Sequence, residues 1–255
     1  MSRVRATTVN AVARITLARA EKKNALDGAM VAALLDATRA AGADPAVRVL
    51  LLDADGPDFC AGADLEALAE MLDAGADAHR RDAEALGHLF IALRETPKPV
   101  VAAVRGRALA GGAGLATACD LVLAHEEARF GYPEVQVGFV PAMVMTMLRR
   151  AVGEKRAFEL VVTGRQGGAR EALEMGLVSR VLGAGAFDAE VDRIVAELAA
   201  APPNALRLTK RLFHALDTQP FDAGIVLGVA ANVEARATPE FRDGVTRFTH
   251  RKPGP

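Results

Sequence analysis

Three short stretches of this chain, residues 47–53, 99–104 and 120–124, are apolar at nearly every position. A strand with one wet face alternates apolar and polar side chains. A nearly unbroken apolar run instead belongs to a strand covered on both faces, which means a parallel sheet between helical layers. That requirement narrows the fold to the α/β class. Residues 12–17 and 177–182 supply two further strand candidates. Between the first strands Asp27 is a ready N-cap, Met30, Val31, Leu34, Leu35 and Ala41 fall at helical spacing, and Gly42 closes the helix. Residues 66–94, rich in Ala, Asp and His, carry no strand signal and read as a helical excursion.

From Phe187 onward the pattern is helical. Val191, Ile194, Val195 and Leu198 mark one helix and Leu206, Leu208, Leu212 and Phe213 another, with Pro202 and Pro203 between them. Such a tail either folds back on its own sheet or packs against another subunit. The length, 255 residues, suits one large domain; with 4% aromatic residues and no Trp, its interior must be built from closely approaching backbones. The balance of 31 basic and 32 acidic side chains gives no basic stripe, so no nucleic-acid partner is expected. The longest apolar runs cover about a third of a bilayer or less, and residues 1–14 lack the apolar core of a secretory leader. No membrane partner and a cytoplasmic location are therefore expected. Cys60 and Cys119 show neither disulfide nor metal spacing and read as buried thiols; His79, His88, His125, His214 and His250 form no metal-spaced cluster, so no metal site is expected.

Two Gly/Ala loops each follow a buried-strand candidate. One is Phe59-Cys60-Ala61-Gly62-Ala63-Asp64-Leu65; the other is Arg107-Ala108-Leu109-Ala110-Gly111-Gly112-Ala113-Gly114-Leu115, running on to Asp120. Small residues let a backbone approach a ligand, and a helix starting near Gly111 would aim free N–H groups at it. Two N–H groups converging on one oxygen form an oxyanion hole, although tight turns and close helix packing use the same residues. Neither loop matches a GxGxxG or P-loop pattern. Asp64 and Asp120 are suited to bonding neighbouring backbone and fixing the loops.

Other segments join these loops in a distinctive order and spacing: Glu21-Lys22-Lys23-Asn24-Ala25-Leu26, Phe130-Gly131-Tyr132-Pro133-Glu134, Gly153-Glu154-Lys155-Arg156-Ala157 and residues 169–181. From about Arg19 to the C-terminus the chain resembles the crotonase, or enoyl-CoA hydratase/isomerase, superfamily. The resemblance implies a crotonase-like spiral of ββα repeats with an acyl-CoA site over residues 1–200. It also implies a C-terminal helical region, 201–255, for oligomerisation into homotrimers or homohexamers, the two making one continuous family domain. The implied substrate is an acyl-CoA thioester, coenzyme A being part of the substrate and no cofactor being permanently bound.

Carried over by position, the N–H groups of Ala63 and Gly111 bind the thioester oxygen and Glu134 is the acid/base. Ala25, Leu26, Ala61, Gly62, Asp64 and Leu65 match the segments that hold the pantetheine arm and adenine. Lys22 and Lys23 stand within reach of the phosphates, and Arg247, Arg251 and Lys252 resemble the family's phosphate-contacting tail.

The main departure is Gly114, the substrate-facing position where the family's first glutamate falls. One carboxylate suffices to move a proton between two carbons, as in a double-bond isomerase; hydration must also orient and deprotonate a water. Some hydratase-type relatives also lack the first glutamate. The expectation is a hydratase acting on a 2-enoyl-CoA, with an isomerase as first alternative and a non-catalytic acyl-CoA binder as second. A smaller departure is Gly138-Phe139-Val140-Pro141-Ala142, where many relatives carry a Gly-rich turn after the proline. Met143, Met145 and Met147 then suit core filling better than an acyl pocket.

Overall fold

A computed structural model describes residues 3–249. Strands β1 (Val4–Val9) and β2 (Val12–Leu17) form an antiparallel hairpin. Its two connecting residues, Asn10 and Ala11, have φ of 49° and 63°, the conformation that lets a two-residue turn follow the twist of its strands. Four turns of a spiral follow. Each contributes a main-sheet strand, a short stretch in a second layer, and a helix.

The first turn is β2, residues 24–26 and α1 (Gly28–Ala43). The second is β3 (Val49–Ala54), residues 60–63, then α2 (Leu65–Glu70) and α3 (Ala76–Glu95). The third is β4 (Val100–Val104), β5 (Arg107–Leu109) and α4 (Gly111–Thr117). The fourth is β6 (Leu121–His125), β7 (Arg129–Gly131), a 3₁₀ turn (Pro133–Val137), α5 (Ala142–Val152) and α6 (Glu154–Thr163). Strand β8 (Gln166–Gly168), helix α7 (Ala169–Met175) and β9 (Arg180–Leu182) complete the sheets. The main sheet has the order β1-β2-β3-β4-β6-β9 and is parallel from β2 onward. The ββα spiral expected from the sequence is the architecture found.

Period-two alternation sorts the apolar strands into two cores. Leu50, Leu52, Val100, Ala102 and Val104 face the larger one, with Leu34 of α1 and Leu89 and Leu93 of α3. Val49, Leu51, Val101, Ala103 and Leu123 face the other way, where α8 (Phe187–Ala200) covers them with Phe187, Val191, Ile194 and Val195. Both faces are dry, which is why the runs are unbroken.

The helical tail therefore divides. Helix α8 folds back on the sheet, and α9 (Pro203–Ala215) buries Leu208 and Lys210. Helices α10 (Phe221–Arg236) and α11 (Pro239–Thr249) bury no residue and leave Phe221, Val226, Val229, Val233 and Phe248 exposed. Differences from the sequence reading concern strands, the three-residue β5, β7 and β8 among them, which lie where no strand was expected. Strand β1 was not anticipated, because only Val4 of its six residues is buried. The stretch 177–182 is strand only over Arg180–Leu182; Leu177 and Val178 enter the core without pairing. Among the described residues no helix is long and apolar enough to cross a membrane.

Candidate active site

The second layer brings distant loops together. Leu26 pairs with Ala63 and Cys60 with Ala108 as parallel bridges, and β5 lies parallel to β7, so residues 24–26, 60–64, 107–111 and 129–131 run side by side. Leu26 N donates to Gly62 O at 2.7 Å and Asp64 N to Leu26 O at 2.9 Å. Leu109 N donates to Cys60 O at 3.0 Å, and Ala110 N to Gly131 O at 2.9 Å. Asn24, wholly buried, fastens the first loop by donating to Asp55 O and Asp58 O, both at 2.9 Å. Asp58 accepts both arms of Arg107 at 2.7 and 2.6 Å, and that guanidinium holds its carboxyl below the usual carboxylate range.

Two amides in this ladder are left over. Among the described residues, neither the Ala63 nor the Gly111 N–H has a hydrogen-bond partner. Their loops touch: a Cβ placed on Gly62 would lie 2.8 Å from Cβ of Ala110 and 3.6 Å from the amide nitrogen of Gly111. Gly62 has φ +98°, open to glycine and strained for other residues. Ala110 is forced to φ 49° and ψ −124° to start α4 at Gly111, so the Gly111 N–H belongs to the unbonded first turn of that helix.

Asp64 and Asp120 do fix backbone. Asp64 Oδ1 accepts Glu66 N at 2.9 Å and Oδ2 pairs with Arg19 at 2.6 Å. Burial pushes its carboxyl up, but Arg19 and the amides of Ala67 and Glu66 hold it below the ordinary value. Asp120 Oδ2 accepts Val100 N at 2.7 Å.

Glu134 sits in the 3₁₀ turn after β7, three residues beyond the Gly131 that accepts from Ala110. It is buried, and its Oε2 is enclosed without a hydrogen-bond partner. Burial raises its pKa above the ordinary value, its own backbone N–H opposing. Behind it Tyr132 is fully buried with its hydroxyl 3.2 Å from Thr117 Oγ1. An enclosed carboxyl with a raised pKa can take and return a proton, and unpaired backbone N–H groups can hold a developing oxyanion.

Gly114 lies in α4, one turn past Gly111. A Cβ there would overlap Cγ1 of Val144 and approach Cζ of Phe90 to 3.0 Å. Helices α5 and α3 thus fill the place a longer side chain would take. Ala25 and Leu26 are buried, Leu65 is exposed, and Lys22 lies at the surface paired with Glu66 at 2.6 Å. Arg247 is on α11, while Arg251, Lys252 and His250 lie outside the described residues. Cys60 and Cys119 are buried thiols, and burial pushes Cys60 up to about 12. Among the described residues no group of three or more His, Cys, Asp or Glu could hold a metal ion. Sequence reasoning missed Asn24, Arg19, Phe90 and Val144. Only Asn24, inside a segment already singled out, carried a usable signal.

Residues 7–254 match the sequence profile of the family described as Enoyl-CoA hydratase/isomerase. The chain is 44% identical over 242 residues, 95% of its own length and 96% of the relative's, to a Thermus thermophilus protein named "Putative enoyl-CoA hydratase". Among solved structures it is similar to an enoyl-CoA hydratase of Mycobacterium smegmatis, with TM-score 0.94 and 31% identity, covering 98% of this chain and 97% of that one. It is also similar to the human enoyl coenzyme A hydratase domain-containing protein 3, with TM-score 0.93 and 30% identity, covering 99% of each chain.

Proposed function

The chain belongs to the enoyl-CoA hydratase/isomerase family, and from that premise we propose that it adds water to, or removes it from, a 2-enoyl-CoA, with Glu134 as the acid/base. The observation that carries this reading is the enclosed, unpartnered Glu134 carboxylate in the turn that follows Gly131, in a fold that also leaves the amides of Ala63 and Gly111 unpaired. In the hydration direction Glu134 takes a proton from water as the water oxygen bonds to C3. The C2–C3 π electrons move onto the thioester, making an enolate whose oxygen the two N–H groups hold. Glu134 then returns the proton to C2. One such donor typically contributes about 3 kcal/mol to the transition state. A raised carboxyl pKa suits a group that must both take and give the proton near neutral pH.

The coenzyme A arm would lie along Ala25, Leu26, Ala61, Gly62, Asp64 and Leu65, with Lys22 leaving Glu66 for a phosphate. The exposed apolar faces of α10 and α11 support assembly into a homotrimer or homohexamer, and two buried free thiols suit a reducing cytoplasm. A second reading, double-bond isomerisation, is favoured by one observation: Val144 and Phe90 occupy the space facing Gly114, so one carboxylate must serve alone.

The test is mass spectrometry of products after incubating the protein in deuterated water with short 2-enoyl- and 3-enoyl-CoA esters. Gain of a whole water supports the hydratase; deuterium without water supports the isomerase. Glu134→Gln should lower kcat by about 10²–10⁴-fold while leaving ester affinity within a few-fold, and an unchanged rate removes Glu134 from the mechanism. Tight ester binding with no turnover by the unaltered protein would leave only a non-catalytic binder.

A further inference from the structure

A cleft of about 660 Å³ opens between α3, α5 and α9, and neither Glu134 nor the amide pair lines it. Phe90, Ile91, Met143 and Met147 give it an apolar floor, and four arginines stand at its rim. Those arginines are under-compensated. Arg94 and Arg150 share a single carboxylate, Asp217, at 2.7 and 3.5 Å, and Arg207 and Arg211 share Glu234. Glu95, also on the rim, offsets one of the two excess charges.

The end of the cleft is held rigidly. Arg94 donates to Nδ1 of His214 at 2.9 Å; a guanidinium can only donate, so the His214 proton sits on Nε2, 3.2 Å from Asp120 Oδ1. Lys210 is spoken for by Leu93 O, Lys98 O and Asp120, at 3.0, 3.0 and 2.7 Å.

We propose that this cleft binds an apolar chain ending in a carboxylate, the chain lying on Phe90, Ile91, Met143 and Met147 and the carboxylate between Arg94 and Arg150. Guanidinium forks match carboxylate geometry, and the thioether and aromatic floor suits an alkyl chain. Two sources supply such a ligand: a free fatty carboxylate, or the far end of an acyl group whose thioester sits at Ala63 and Gly111. Helix α3 passes both places. Leu86 flanks Gly111, Phe90 flanks Gly114 and lines the cleft, and Arg94 ends the line. From Leu86 to Arg94 is about 12 Å of helix. The acyl source rests on the proposed acyl-CoA function; binding of a free carboxylate does not.

The test is calorimetric titration of the whole protein with decanoate, decanol and decyltrimethylammonium at low salt. Decanoate should bind at least about tenfold tighter than the other two, and Arg94→Gln with Arg150→Gln should remove about tenfold of that affinity. Because Arg94 also holds His214, Ile91→Glu is the second variant: Ile91 is 51% exposed, so the change adds a negative charge to the cleft without breaking those bonds. It should weaken decanoate and spare the cation. Equal binding of decanoate and decanol, or indifference to both variants, overturns the proposal. Displacement of decanoate by decanedioyl-CoA but not by decanoyl-CoA identifies the acyl end as the source, and displacement by neither identifies a free carboxylate. The decanoate titrations need no turnover or ester binding, so a wrong hydratase reading would leave them unaffected.

Discussion

Why this chain has glycine at position 114 can be tested by stability alone. In the interior of α4, Gly→Ala is ordinarily worth about 1 kcal/mol in favour of the helix. Here the new methyl would overlap Cγ1 of Val144 and press on Cζ of Phe90, side chains that are each 4% exposed and so cannot swing into solvent. Overpacking of that kind typically costs about 1–3 kcal/mol. Gly114→Ala should therefore destabilise the protein by about 1 kcal/mol. Val144→Ala alone leaves a cavity and costs about 2 kcal/mol. In the Val144→Ala background the overlap with Cγ1 is gone and Phe90 can give the few tenths of an ångström it must into the space vacated, so the helix gain returns and Gly114→Ala should stabilise by about 1 kcal/mol. The two sites should thus be coupled by about 2 kcal/mol, well outside the ~0.5 kcal/mol scatter of independent sites. Thermal and urea melts of the four proteins by far-UV circular dichroism measure this, at about 2–4 °C per kcal/mol for a chain of this size. Additive effects, or a stabilising Gly114→Ala in the unaltered protein, would refute the packing account. Gly114→Glu alone should then unsettle α4 without supplying a second carboxylate, and only the pair with Val144→Ala could lodge one.

Four further outcomes follow. The acid limb of the activity–pH profile should lie above the ordinary glutamate value of 4.5, because burial favours the neutral form of Glu134 and only its carboxylate can accept a proton; a limb at or below that value contradicts the assignment. The same raised pKa means that the ionised form weakens the fold, a penalty gained as pH rises through the folded-state pKa, so Glu134→Gln should melt higher than the unaltered protein at neutral pH and no higher in acid. Gly62→Ala places a methyl 2.8 Å from Ala110 Cβ at φ +98°, so it should cost about 1–3 kcal/mol and lower kcat, read by melting and by turnover. Lys210→Met should cost about 3–5 kcal/mol by leaving the Asp120 carboxylate without its cation, with only Val100 N and His214 as partners, much of it recovered by adding Asp120→Asn; a melt that moves less than 2 °C would show the pair to be idle.

The strands were legible wherever burial was two-sided: residues 49–52 and 100–104 announce themselves because both neighbouring layers exclude water. Strand β1 was silent because five of its six residues are exposed, and β5, β7 and β8 are three residues long, too short to show a period. Ala63, Gly111 and Glu134 were singled out through motif order, while the ladder of backbone bonds that brings the Ala63 and Gly111 loops together leaves no trace in side-chain pattern. Val144 approaches Gly114 from thirty residues away, and the rim arginines come from three separate helices; contacts of that range have no local sequence signature.

That ladder also determines where the chain can change freely. The segments carrying the paired amides and the carboxylate are rungs whose partners are other rungs, so one residue inserted into any of them would shift every rung beyond it. Between rungs hangs the α2–α3 excursion: its later half packs Leu86 against Gly111 and buries Leu89, Phe90 and Leu93 in the core, while its turn at 71–75 buries no residue. Lengthening that turn would leave the spacing of the Ala63 and Gly111 amides untouched, which makes 71–75 the place where the chain is expected to tolerate insertion.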